Sequence, residues 1–346
     1  MKTRITEMFG IRHPILLSGM SWISTPEMVA AVSEAGGLGI LATGVLSASQ
    51  TREAVRSVRS LTDRPFGANA TLYFPGAREN AEVLLDEKVP VINFSMGKGD
   101  WIVKAAHAYG GRVMASVVSE KHARSAASYG TDALLLTGHE AAAHAGEVSS
   151  LVLIPSLLDA LGLPVVAAGG FADGRGLAAA LALGADGIAM GSRFMSTRES
   201  PIHDRCKRFT VETTPYETAY TTRVDGQPCR VAVTPGSTRA IERGLDLARA
   251  MVNGREIARS MEVPFAKMAL GVAASGWTNV RQLAFLATAF KAFRVATLDG
   301  DLDHGVLPIG QAAGLVHDVP SVNELMERMV REAEDAQKRL AAALTP

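Results

Sequence analysis

Two glycine-rich turns and one histidine are the residues whose types and spacing could do chemistry. The first turn lies in Pro164-Val-Val-Ala-Ala-Gly-Gly-Phe-Ala-Asp-Gly-Arg-Gly176, and the second in Gly187-Ile-Ala-Met-Gly-Ser-Arg193. A short apolar run that ends in glycines and leads into a helix presents backbone N–H groups to an anion, and glycine alone lets the main chain come close. Gly169, Gly170, Gly191 and Ser192 are therefore candidates to hold a phosphate. The other reading is that they are tight-turn or packing glycines; two such loops at consecutive strand ends favour the phosphate. His144 stands in Gly138-His-Glu-Ala-Ala-Ala-His-Ala-Gly-Glu147, just past an apolar run. A histidine there suits proton transfer near neutral pH; the alternative is a loop histidine that only bonds its neighbours. His139 is the weaker candidate of that loop. His107 and His122 fall in helix patterns and are expected at the surface, while His203 could border the site. Ser18-Gly19-Met20 and Asn69 close earlier apolar runs, where small and amide side chains let a planar ring approach and bond its edge.

The elements that must position these residues alternate. Apolar runs at 13–20, 38–44, 66–72, 89–97, 112–118, 132–138, 164–170 and 187–193 read as strands. Most are continuously apolar, as parallel strands covered on both faces are. Helix patterns separate them. Thr25-Pro26-Glu27 offers a cap, a first-turn proline and a first-turn acid, and Gly36-Gly37 stops that helix. Eight β units fit a (β/α)8 barrel or an open doubly wound sheet. The count of eight and the late position of the glycine turns favour the barrel: a dinucleotide fold places its glycine fingerprint after the first strand, where this chain has Ser18-Gly-Met-Ser-Trp22. The expected fold class is thus α/β, a (β/α)8 TIM barrel with a smaller, mostly helical inserted domain. We expect the barrel over residues 1–200, a helical substrate or lid domain over 201–300 with helices near 240–259 and 280–293, and a segment over 301–346 that returns to the barrel. That last segment opens on Ser321-Val-Asn-Glu324, a capping-box pattern.

Bulk composition excludes several classes. The 346 residues are 47% hydrophobic and 20% charged, which supplies a large core and argues against disorder. Lysine plus arginine and aspartate plus glutamate both total 35, so no basic excess suggests nucleic acid. The two cysteines, Cys206 and Cys229, have neither disulfide-framework nor metal-ligand spacing. No metal site is expected, because no HxH or clustered His/Asp pattern falls at a strand end. The first residues lack the apolar stretch of a signal peptide, and no apolar run is long enough to span a bilayer. A cytoplasmic protein acting on a small molecule is expected, without membrane or nucleic-acid partners; a homodimer is allowed for.

With these residues in view, the chain resembles the nitronate monooxygenase (2-nitropropane dioxygenase-like) flavoproteins, which also include NADH:quinone reductases and flavin-type enoyl-acyl-carrier-protein reductases. The resemblance spans nearly the whole chain. It rests on His13-Pro-Ile with Gly19-Met20 and Ala30-Ala-Val-Ser-Glu-Ala-Gly-Gly-Leu-Gly39, on Gly169–Gly176 through Phe194, and on Gly310-Gln311 with Gly314-Leu315. It implies a non-covalent FMN. Ser18, Gly19 and Met20 would approach the isoalloxazine, with Asn69 on its edge. Gly169, Gly170, Gly191 and Ser192 would bind the phosphate, and His144 would match the catalytic histidine of a Glu-Ala-Gly-Gly-His pattern. Ala142-Ala143 replace that pattern's glycine pair. Ser116 stands at the end of the fifth strand, by the flavin, where some members place a lysine; this is closer to the enoyl reductase branch. The leading activity implied is nitronate oxidation with O2 to a carbonyl compound and nitrite. The alternatives are NAD(P)H-dependent reduction of a quinone or an enoyl thioester, and, from another class, a non-catalytic barrel holding a phosphometabolite.

Overall fold

A computed structural model describes residues 1–74, 76–260, 264–274 and 276–345. Its centre is a ring of eight parallel strands: β1 Ile15–Leu17, β2 Gly39–Ala42, β3 Phe66–Thr71, β4 Val91–Ser95, β5 Arg112–Val117, β6 Ala133–Thr137, β7 Val165–Ala168 and β8 Gly187–Met190. Each pairs with its successor from β2 onward, and β1 pairs with β8 in the register Ile15↔Ile188. A bridge between Leu16 and Leu38 shuts the ring, with the Leu17 N–H donating to the Leu38 carbonyl at 3.0 Å. The expected (β/α)8 barrel is the fold found, and the eight expected strands are present, each trimmed at one or both ends.

The continuous apolar runs conceal an alternation of period two. Leu16, Ile40, Val91, Met114, Leu135, Val166 and Ala189 fill the barrel interior, whose base is plugged by Ile5 and Phe9 of helix Arg4–Phe9. Their neighbours Ile15, Leu41, Ile92, Val113, Leu134, Val165 and Ile188 pack outward against the surrounding helices. Both faces of the strands are therefore buried along most of their length, so periodicity is invisible in the sequence. Gly39 sits where any Cβ would overlap the Val29 carbonyl, which brings helix Pro26–Glu34 tight against β2. Thr25 is that helix's N-cap residue and Pro26 its first residue, but the Thr25 hydroxyl makes no capping bond.

After β8 the chain leaves the barrel and returns only with helix Val322–Leu344, whose capping box uses Ser321 and Glu324 in both directions. That helix crosses helix Gly174–Ala182 at Gly174, where a Cβ would overlap the Met329 carbonyl. Between them lie helices Asp204–Glu212, Pro235–Arg243, Leu247–Ser260, Phe265–Ala274 and Trp277–Asp299. They are joined by an antiparallel hairpin, β9 Thr218–Thr221 and β10 Cys229–Ala232. Sequence patterning had no strand here, because β9 is short and only half-buried. The helix expected near 240–259 is two helices, split at Gly244, whose φ is +63°. No described helix is long and apolar enough to cross a membrane.

Candidate active site

The C-terminal ends of the barrel strands open into a cavity of about 730 Å³. Ser18, Gly19, Met20, Asn69, Ser116, His144, Gly169, Gly170, Gly191 and Ser192 all line it. Parallel strands place every loop that follows them on one rim, so ten residues spread over 175 positions of chain meet there.

A polar ladder crosses β3, β4 and β5 at this end. The Asn69 amide donates to Asn93 Oδ1 at 2.7 Å, and the Asn93 amide donates to Ser116 Oγ at 3.1 Å. Thr71 Oγ donates to Asn69 Oδ1 at 2.9 Å. Each amide is oriented by its neighbours, so the edge it offers the cavity is set before any ligand arrives. Asn93 was not singled out in the sequence, although the reason that drew attention to Asn69, an amide near a strand end, applies equally to it. Gly19 has a structural duty as well: a Cβ there would lie 2.6 Å from the Asn69 Cβ.

The two glycine turns meet at the ends of β7 and β8. Gly169 and Gly170 have φ of +97° and +85°, conformations that L side chains rarely adopt. The N–H groups of Gly170 and Gly191 have no protein acceptor among the described residues. A Cβ on Gly191 would meet nothing nearer than Met20 Sδ at 3.4 Å. Open backbone donors around a cradle of this kind fit a phosphate. Ser192 Oγ accepts from the Gly310 N–H at 2.9 Å, and its own hydroxyl hydrogen remains available. A carboxylate stands beside the cradle: a Cβ on Gly170 would meet the Glu140 side chain at 3.6 Å, and Glu140 accepts from the Ser150 N–H and hydroxyl, at the start of helix Ser150–Leu161.

His144 is held by the hairpin. Its Nε2 lies 2.6 Å from Asp225 Oδ2, in the turn between β9 and β10, and the Asp225 side chain is 1% exposed. The carboxylate accepts, which favours the hydrogen on Nε2; of the two neutral tautomers this is the one with the lone pair on Nδ1. Around it the same hairpin grips the loop backbone. Ala143 and Arg230 exchange N–H···O bonds of 3.0 and 2.9 Å. The buried Arg230 guanidinium donates through Nε and Nη2 to the His139 carbonyl, and the Tyr220 hydroxyl donates to the Ala145 carbonyl at 2.8 Å. Burial pushes the Arg230 pKa down. Ala143 keeps a left-handed backbone, φ +51°, despite its side chain. Asp225 carried no signal in the sequence, being one acid in a polar turn.

The other histidines separate. His139 Nδ1 pairs with the Gly146 carbonyl and its ring packs edge-on against Tyr220, outside the cavity lining. His203 caps helix Asp204–Glu212 through Nδ1 and does not border the cavity. His122 is exposed, as expected, yet it lies at the cavity lining.

Part of the cavity wall is apolar. Trp22 meets Phe290 edge-on, with centroids 4.9 Å apart, and Leu286 and Phe293 extend the same surface. No lysine or arginine lines the cavity among the described residues; its carboxylates are Asp225 and Glu140. The arrangement can move a proton at His144 Nδ1, hold an anion on backbone amides and enclose an uncharged apolar body.

The nitronate monooxygenase family model matches residues 2–83 and 75–332. The chain is 36% identical over 341 residues to a Mycobacterium tuberculosis (3aS,4S,5R,7aS)-5-hydroxy-7a-methyl-1-oxo-octahydro-1H-indene-4-carboxyl-CoA dehydrogenase, covering 96% of each. It is 30% identical to a Pseudomonas aeruginosa nitronate monooxygenase, covering 96% of this chain and 99% of that one. The solved structure of FabK from Thermotoga maritima superposes with a TM-score of 0.84 at 33% identity, over 99% of this chain and 100% of that one. With its barrel, its glycine cradle and these matches along its whole length, the chain belongs to the nitronate monooxygenase family of oxidoreductases.

Proposed function

We propose that this oxidoreductase exchanges a hydride between FMN and the carbon β to a thioester carbonyl, with His144 handling the proton at the α carbon. The observation that carries the reading is the His144–Asp225 pair, set in a cavity that no lysine or arginine lines among the described residues. A nitronate is an anion, and in this cavity it would lie beside the buried Asp225 carboxylate with only the histidines His122 and His144, and no lysine or arginine among the described residues, to offset it. A thioester is neutral, and the apolar wall gives its acyl body a dry surface. The 36% identical relative is named for a carboxyl-CoA substrate, which agrees with this choice.

The residues present fit FMN. The backbone amides of Gly169, Gly170 and Gly191, with the Ser192 hydroxyl, would hold its phosphate. Asn69, Asn93 and Ser116 would face the polar edge of its ring, beside Ser18, Gly19 and Met20. Bound there, FMN supplies the two-electron exchange. The chain's own residues do the rest. Asp225 fixes the His144 tautomer, so that Nδ1 takes the α proton when the acyl thioester is oxidised. In the reverse direction the same atom returns that proton to an enoyl thioester. The apolar wall excludes water from the reacting carbon. NAD(P)H is our proposed electron donor for the reductive direction.

The test is anaerobic. Protein loaded with FMN is bleached with NADH or NADPH and then mixed with cyclohex-1-ene-1-carbonyl-CoA, and the yellow colour is expected to return. Nitronate oxidation is the second reading, favoured by the P. aeruginosa relative. Oxygen uptake and nitrite release from propyl-2-nitronate, with no recolouring by the thioester, would replace our reading with that one.

A further inference from the structure

We infer that Trp22 and Phe290 form a specificity wall that selects an uncharged, ring-bearing acyl body. The inference deepens the proposed function and rests on it for the identity of the reacting group.

The backbone carries the first argument. Trp22 has φ +63°, a left-handed conformation that is an outlier for a large aromatic side chain. The surrounding turn over-determines it. Ser24 is buried, its hydroxyl donates to the Ser18 carbonyl at 2.7 Å, and it accepts from the Met20 N–H at 3.0 Å. The Ile23 and Ser24 N–H groups both donate to the Met20 carbonyl. This closed turn leaves the residue at position 22 little choice of backbone, and a glycine would fit it without strain. Tryptophan in that place is explained by what its ring does.

The ring meets Phe290 with an interplanar angle of 71°, so the barrel's first loop touches helix Trp277–Asp299 across the cavity. Leu286, Phe290 and Phe293 follow one another at i, i+4 and i+7, which puts them on one face of that helix, and all three line the cavity with Trp22. Aromatic faces and edges pack best against flat or ring-shaped apolar groups. A charged tail at this wall would find no lysine or arginine among the described cavity residues. A short linear acyl chain would leave much of the wall wet. Discrimination should therefore follow the ring, by the tens to hundreds-fold that apolar pockets achieve.

The experiment compares two thioesters, cyclohex-1-ene-1-carbonyl-CoA and crotonyl-CoA, in the FMN-loaded enzyme and in Trp22→Gly and Phe290→Ala. We expect the ratio of kcat/KM, cyclic over linear, to fall by roughly 10- to 100-fold in each variant, with the loss mainly in KM. Trp22→Gly accepts the left-handed backbone, and Phe290→Ala leaves the turn untouched, so the pair guards against a folding defect in either. A ratio that stays within a factor of two in both variants overturns the inference.

A binding measurement separates this inference from the proposed chemistry. Of the three tryptophans, Trp22 lines the cavity while Trp101 and Trp277 do not. Naphthalene-1-carboxamide, which has no thioester, is expected to quench tryptophan emission in the wild type and to do so with at least tenfold weaker affinity in Phe290→Ala, which keeps the Trp22 emitter, with hexanamide weaker in the wild type. Quenching without thioester turnover would sink the proposed reaction and keep the wall. Turnover without a ring preference in either assay would do the reverse.

Discussion

At the scale of single residues, the proposed chemistry depends on one imidazole and the carboxylate behind it. Asp225 is buried and accepts from His144 Nε2, which leaves Nδ1 as the atom that can take a proton. Asp225→Asn offers an amide that can donate to Nε2 and so favours the tautomer with its hydrogen on Nδ1. Turnover of the thioester should drop by roughly 100-fold or more, while His144→Ala should lose about 10²–10⁴-fold. Steady-state kcat measured beside unchanged FMN loading checks both, since neither side chain belongs to the proposed phosphate cradle. Ala143 invites a second measurement. A non-glycine residue at φ +51° stores strain of order 1 kcal/mol. Ala143→Gly should keep or raise the melting temperature. Ala143→Val, β-branched in the same conformation, should lower stability by about 1–2 kcal/mol. A glycine variant that melts well below the wild type would show that the alanine methyl packs more than it strains.

The deciding element is the hairpin of β9 and β10. Asp225, Tyr220 and Arg230 all come from it, and all three bond to the loop that carries His144. Arg230 is the informative one, because it is buried, hydrogen-bonds to no carboxylate although the Glu140 charge acts on it, and spends two donors on the single carbonyl of His139. Holding a charge in that position costs desolvation, in line with its lowered pKa. Arg230→Met should strand the His139 carbonyl at a cost of about 1–3 kcal/mol and let the His144 loop drift, lowering kcat more than it raises KM. Arg230→Lys should rescue little, since an ammonium cannot reproduce the planar two-donor grip. Melting curves and kinetics on the two variants distinguish a positioning role from simple filling of space.

For the whole molecule, the barrel's lower end contributes a pH dependence remote from the chemistry. His13, just before β1, has a buried Nδ1 with no partner among the described residues, and burial with the nearby Arg12 charge pushes its pKa down from 6.5 to about 4. The folded state keeps this imidazole neutral, whereas the unfolded chain takes up a proton below pH 6.5. Its contribution to stability is thus complete above pH 6.5 and is lost as the pH falls toward 4. The difference in melting temperature between the wild type and His13→Gln should shrink across that window; a constant difference would refute the assignment. Closure of the molecule rests on helix Val322–Leu344, which seals the barrel wall against Gly174 after the chain has built everything above the mouth.

Much of this was written along the chain. Eight apolar runs, the glycine turns after the seventh and eighth, and a histidine past the sixth are local features, and parallel strands must carry their following loops to one rim. That topological necessity is why Ser18, Asn69, His144 and the four candidate phosphate residues could be named from type and position, and Ser116 from the family resemblance, and all then found around one cavity. Asn93 was readable by the same rule. Asp225, Arg230 and Phe290 were not, because their meaning comes from contacts spanning 81, 91 and 268 positions respectively, and such contacts depend on how the segment after β8 folds back. Local periodicity determines which elements form. The tertiary structure alone decides which acid stands behind the histidine and which aromatic ring meets Trp22 at the cavity, because those choices are made by packing between elements that the sequence keeps far apart.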